Sequence, residues 1–136
     1  MKKFKPKPGQ IDFTHARFVP VVICVVQFGK KILLVKRSAA MNVYPGFWNS
    51  VGGYLDDRKT LFEKAKEELR EEAGIGANDI ISIRAGDIFE IDDPKYKKAW
   101  IFHPVLVKVK HDKIRLDWEA DEYRWVSVNE ARRVPK

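Results

Sequence analysis

The sequence predicts an α+β fold, and three features carry that expectation. Phe18–Phe28 is rich in β-branched residues and is followed, across a turn-like Gly29-Lys30-Lys31, by a second apolar run, Ile32–Val35; such a pair reads as a hairpin. Thr60–Ala73 reads as a helix, opened by Thr60 with Glu63 in a capping-box pattern and closed by Gly74. Strand-like runs then resume at Ile80–Ile83, Asp87–Ile91, Trp100–Val109, Ile114–Leu116 and Tyr123–Val128.

The remaining segments complete the order. In residues 1–10, MKKFKPKPGQ, Lys2, Lys3, Lys5 and Lys7 alternate with prolines, which interrupt regular structure. A flexible basic arm is expected there, ahead of a single domain over residues 11–136. RSAAMNVYPGFWNSVGGYLDD contains Pro45, Gly46, Gly52 and Gly53, turn chemistry that predicts a shaped loop rather than a regular element. Ser127 and Glu130 repeat the capping-box pattern and open a short helix through Arg133. That helix is barely finished at Lys136, so the natural protein is expected to extend further, with this chain truncated at its C-terminus.

The chain has 136 residues, 45% of them hydrophobic, enough for one domain with a real core. A formal charge of +7 favours anionic partners such as phosphates and nucleotides. Cys24 is the only cysteine, which excludes an internal disulfide, and its apolar surroundings read as core. A reducing, cytoplasmic location fits. No apolar run reaches the ~18–20 residues of a membrane span, so no membrane role is expected. The arm leaves nucleic acid open as a partner.

The most informative stretch is GYLDDRKTLFEKAKEELREEAGI, Gly53–Ile75, where Glu67, Glu68, Glu71 and Glu72 crowd one helix of an otherwise basic protein. Like charges at this spacing repel, and a hard divalent cation, which prefers oxygen ligands, would relieve them. At roughly 100° per residue, Phe62, Ala65, Leu69 and Ala73 form an apolar stripe that should face the core. Glu68, Glu71 and Glu72 border that stripe, and Glu67 falls on a mixed-charge, exposed side. A solvated acidic face, partly neutralised by Lys64 and Lys66, is the plain alternative.

With its glycine-rich entry loop, this stretch resembles the Nudix hydrolase box, G-x5-E-x7-R-E-U-x-E-E-x-G-U, where U is a bulky aliphatic residue. Gly53 takes the first glycine, Glu68-Leu69 the E-U, Glu71-Glu72 the E-E pair and Gly74-Ile75 the closing G-U. KILLVKRS with YPGFWNSVGGYL, and LDWEADEYRWVSVNEA, extend the resemblance over most of residues 18–133. Two box positions depart from it: Lys59 stands where the family has glutamate, and Glu67 where it has arginine. The departures are opposite in sign at positions that can pair, and we read them as a structural ion pair with its charges exchanged. The competing reading is a degenerate box that has lost catalysis.

The resemblance implies an α/β/α sandwich with a mixed central sheet and a loop-helix-loop catalytic motif. It implies hydrolysis of a nucleoside diphosphate linked to another moiety, a phosphoanhydride cleavage by activated water, with Mg²⁺ (or Mn²⁺) as cofactor. Metal ligands would be Glu68, Glu71, Glu72, Glu119 and the Gly53 carbonyl, with Glu71 and Glu119 the catalytic candidates and Glu122 a weaker competitor for Glu119. Arg37, Trp48 and Gly52 are the substrate-binding candidates, although Trp48 also suits plain packing. The implied partner is a nucleotide-type small molecule, and a homodimer is open. A nucleotide-binding sensor on the same fold is the main rival. An isoprenoid-diphosphate isomerase relative is disfavoured, because Cys24 is poorly placed to supply a catalytic thiol.

Overall fold

The computed structural model describes residues 11–133. The basic arm expected at residues 1–10 lies outside them, as do residues 134–136. Among the described residues the elements run β1 (Phe18–Phe28), β2 (Lys31–Arg37), β3 (Trp48–Asn49), β4 (Val51–Tyr54), α1 (Leu61–Ala73), β5 (Ile80–Ala85), β6 (Phe89–Asp93), β7 (Lys98–Val109), β8 (Ala120–Val126) and α2 (Val128–Arg133). One sheet holds all the strands, in the order β3-β2-β1-β7-β5, with β4 paired to β1, β6 to β7 and β8 to β2. The β1–β7 pair is parallel and the others antiparallel, so the sheet is mixed, as expected.

Alternation along the strands sends side chains to two layers. Val22, Cys24 and Val26 of β1, Leu33 and Val35 of β2, and Val105, Val107 and Val109 of β7 pack with Ala65, Leu69 and Ala73 of α1. On the opposite face, Leu34 and Val126 pack with Ala131 of α2. Cys24 lies fully buried in the first layer, and burial pushes its thiol up to about 12, which makes it an inert core residue.

Local chemistry sets the ends of α1. Thr60 Oγ1 accepts from the Glu63 backbone N–H at 3.2 Å while Glu63 Oε1 accepts from the Thr60 N–H at 2.9 Å. At the other end Gly74 adopts a left-handed φ of 69°, which costs glycine little. The same reciprocal cap joins Ser127 and Glu130 before α2.

Three expectations need correction. Ile114–Leu116 is not a strand: Ile114 and Leu116 pack on the core from a loop, and the Arg115 N–H donates to the Ala73 carbonyl at the end of α1. The segment read as a loop contains β3 and β4, short strands whose glycines hide a β pattern because pairing with β1 and β2, not propensity, forms them. Phe62 is 39% exposed rather than part of the buried stripe; Leu61, beside it in the first turn, packs on the core instead.

Leu69→Ala should therefore lower stability by about 2–5 kcal/mol, and Phe62→Ala by less than about 1 kcal/mol. Urea unfolding of the two variants checks the contrast.

Candidate metal centre

The site forms where α1 crosses β4. Backbone pairing of Gly53 with Val22 holds β4 against the sheet and turns its surface toward Glu68. A Cβ at Gly53 would stand 2.7 Å from the Glu68 carboxyl carbon, so any side chain there would push that flexible carboxylate out of its present place. At Gly52 an added Cβ would run into the Val22 backbone carbonyl, so this glycine serves the close approach of β4 to β1.

Glu68, Glu72 and Glu119 each offer an oxygen within a sphere where all lie within 4.8 Å of one another, and Glu67, Glu68 and Glu71 form a second such group. Glu68 belongs to both. The loop before β8 delivers Glu119: its carbonyl accepts from the Ser38 N–H at 2.9 Å, and its N–H donates to Asp117 Oδ1 at 2.9 Å. Glu71 is the outermost member, its side chain 47% exposed. Glu122 pairs with Lys36 at 3.5 Å on the exposed surface and belongs to neither acidic group.

Burial makes this cluster costly. It is the largest cause raising the Glu68 carboxyl, to about 7, with the charges of Glu119 and Glu71 adding to it and a hydrogen bond from Glu72 and the Lys64 charge opposing it. Glu72 is raised further, by burial first and then by proton-sharing contacts with Glu119 and Glu68. Glu72 Oε2 is buried with no hydrogen-bond partner. Three converging carboxylates with an orphaned buried oxygen are what a hard divalent cation satisfies. The donor set therefore fits Mg²⁺ or Mn²⁺.

Beneath the cluster lies a lysine that sequence reasoning undervalued. Lys64 is only 3% exposed, and its ammonium lies 3.0 Å from Asp56 Oδ1, 3.3 Å from Asp57 Oδ2 and 3.8 Å from Glu68 Oε1. Burial alone would lower its pKa; the Asp56 hydrogen bond and charge, together with Glu68 and Asp57, more than reverse that and raise it. The i,i+4 spacing of Lys64 and Glu68 was visible in the sequence, but nothing there marked Asp56 as buried. Lys59 Nζ stands 2.8 Å from Glu67 Oε2, an ion pair rather than a well-directed hydrogen bond. Glu67 is not on an exposed side as expected: its side chain is 18% exposed, tucked between the two lysines.

The entry loop is anchored from the far side by a group that sequence reasoning did not identify. Asp93 Oδ2 accepts from Tyr44 Oη at 2.7 Å and from Trp100 Nε1 at 2.9 Å, and Tyr96 Oη accepts from the Tyr44 N–H at 2.9 Å. Burial works to raise the Asp93 carboxyl, but these donors hold it below its usual range. Arg37 Nε donates to the Val43 carbonyl at 2.7 Å, which ties the guanidinium into the same loop. Its charge and that of Glu119 both reach the Tyr54 phenol, whose pKa is raised chiefly by burial. Trp48 packs with Leu34, Val126 and Ala131 on the α2 face, with Arg124 4.7 Å over its ring. That is the layer opposite α1, which favours the packing role.

A family model for the NUDIX domain matches residues 16–136. A curated relative, the m7GpppN-mRNA hydrolase NUDT17 of Xenopus laevis, is 34% identical over 62 residues, 46% of this chain. The match spans about a fifth of that relative, 21% of its length. Among solved structures, a MutT protein from Methanosarcina mazei Go1 superposes with a TM-score of 0.68 at 26% identity, covering 85% of this chain and 81% of that one. The NUDIX domain of Shewanella oneidensis NrtR, solved with ADP ribose, gives a TM-score of 0.72 at 15% identity, covering 88% and 79%; at that identity the likeness is one of fold.

Two outcomes follow from the geometry. Without metal, the folded protein holds protons on Glu68 and Glu72 that an unfolded chain, titrating near 4.5, releases. Stability in EDTA should therefore fall as pH rises from about 5 through 7 and beyond, and saturating Mn²⁺ should flatten that slope; melting temperatures across the range measure both. Gly53→Ala should weaken Mn²⁺ binding about tenfold, ~1.4 kcal/mol, by displacing Glu68, which calorimetric titration reads directly.

Proposed function

Because this chain belongs to the Nudix hydrolase family, we propose that it is a divalent-metal-dependent pyrophosphohydrolase acting on a nucleoside diphosphate linked to another moiety. The observation that carries this reading is the convergence of Glu68, Glu72 and Glu119 around a buried, unpartnered oxygen of Glu72. The curated relative, a hydrolase of m7GpppN-mRNA, supports the substrate class. That molecule contains phosphoanhydrides flanked by nucleosides.

Glu68, Glu72 and Glu119 would hold Mg²⁺ or Mn²⁺, with Glu71 and the Gly53 carbonyl at the open side. The bound ion supplies charge neutralisation at the phosphoanhydride and a more acidic water. Glu71, half-exposed beside Glu68, would take the proton from water, and Glu119 would complete the ligand set and be the alternative acceptor. Arg37, fastened to the entry loop, offers a cation to phosphate oxygens near Tyr54. Residues 52–54 hold the floor of the site in place by pairing with β1. The positive net charge favours an anionic substrate at long range.

A nucleotide-binding module without turnover is the second reading, and the exchanged charges at Lys59 and Glu67 are the observation in its favour. A panel of nucleoside triphosphates, dinucleoside polyphosphates, ADP-ribose and capped dinucleotides, assayed with Mg²⁺ and with Mn²⁺, separates the two. Metal-dependent release of a nucleoside monophosphate is expected. Glu72→Gln and Glu71→Gln should each reduce kcat by roughly 100-fold or more, while Glu122→Gln should leave it unchanged. Binding of these compounds with no turnover of any would establish the module instead.

A further inference from the structure

The Lys59–Glu67 pair is one side of a closed ring. Lys59 Nζ lies 3.1 Å from Asp57 Oδ2 and 2.8 Å from Glu67 Oε2. Lys64 Nζ lies 3.3 Å from the same Asp57 oxygen and 3.9 Å from Glu67 Oε1. Around this ring the signs alternate: Asp57 negative, Lys59 positive, Glu67 negative, Lys64 positive. Every side is attractive. Asp57 and Lys59 belong to the loop before α1, and Lys64 and Glu67 to its first turns, so the ring fastens loop to helix. Lys64 is also pinned from outside by Asp56 at 3.0 Å and reaches Glu68 Oε1 at 3.8 Å.

We propose that Asp57, Lys59, Lys64 and Glu67 are positioning residues forming a charge ring of one permitted polarity, which holds Glu68 at the carboxylate edge. The inference rests on Glu68 being a metal ligand. An isolated ion pair is indifferent to direction, because exchanging its two partners preserves the attraction. The ring is not indifferent. A carboxylate at position 59 would face Asp57, and a guanidinium at position 67 would face Lys64, whose buried ammonium has no water to retreat into. Restoring glutamate on the loop and arginine on the helix therefore preserves one side and makes two others repulsive. The resulting shift of Lys64 acts on Glu68, the carboxylate shared by both acidic groups. The departures at Lys59 and Glu67 are thus matched to Asp57 and Lys64, and the four positions work as a unit.

The test compares the parent chain with D57N, K59E, K59E/E67R and D57N/K59E. Mn²⁺ affinity is read from the electron paramagnetic resonance signal of the free ion, and melting temperature is read in EDTA. K59E should weaken Mn²⁺ binding about tenfold, ~1.4 kcal/mol. K59E/E67R should stay below the parent in both affinity and melting temperature, and D57N, which also removes the Asp57–Lys64 attraction, should cost less in the K59E background than in the parent chain. Parental values in K59E/E67R would overturn the ring, since an isolated pair predicts them. A D57N cost in the K59E background equal to or larger than its cost in the parent chain would overturn it equally, and that comparison decides the matter if K59E/E67R does not fold. A parent that binds no Mn²⁺ overturns the metal reading instead, and the melting temperatures in EDTA still report on the ring.

Discussion

The buried ammonium of Lys64 is the constraint on which the acidic edge of α1 depends. A carboxylate withdrawn from water is destabilised unless it is paired, protonated or bound to a cation. Lys64 provides that compensation beneath the edge, between Asp56, Asp57 and Glu68. Above it Glu72 has nothing comparable and keeps an oxygen without a partner. The cluster is therefore compensated at Glu68 and uncompensated at Glu72. Breaking a buried ion pair by removing one partner is costly because the other charge remains, so Lys64 and its acidic neighbours stand or fall together.

Around this electrostatic centre the backbone supplies shape. Pairing of β4 with β1 brings Gly53 against Glu68, and the absence of a side chain there sets where that carboxylate rests. From the opposite flank, Asp93 gathers Tyr44 and Trp100 and fixes the long loop that carries Arg37's partner, Val43. The two anchors differ in kind. One uses charge at the helix, and the other uses directed hydrogen bonds from aromatic donors whose geometry is narrow. Together they hold the mouth of the site from both sides while leaving Glu71 at the rim.

Most of the framework was legible before any coordinates. The capping boxes at Thr60–Glu63 and Ser127–Glu130, the Gly74 stop and the β1–β2 hairpin all appear where local chemistry placed them. What misled was weak local signal with strong tertiary consequence. Gly52 and Gly53 argued for a loop, yet β1 makes a strand of them. Ile114 and Leu116 argued for a strand, yet the core accepts them from a loop that reaches back to Ala73. Phe62 obeyed the helical period, but the core takes up Leu61 beside it instead.

By itself, the sequence determined which side chains share the edge of α1, because 3.6 residues per turn leaves no freedom in that choice, and it determined that Lys59 and Glu67 carry opposite charges at positions able to meet. Tertiary structure alone decided that Glu67 is tucked in rather than exposed and that Asp56 and Asp57 enclose Lys64, and it brought Glu119, which the resemblance had offered, to Glu68 and Glu72. The division follows from range. Helical geometry acts over a few neighbours and can be read along the chain, whereas burial and the meeting of distant charges exist only once the sheet has brought β4, α1 and the loop before β8 together.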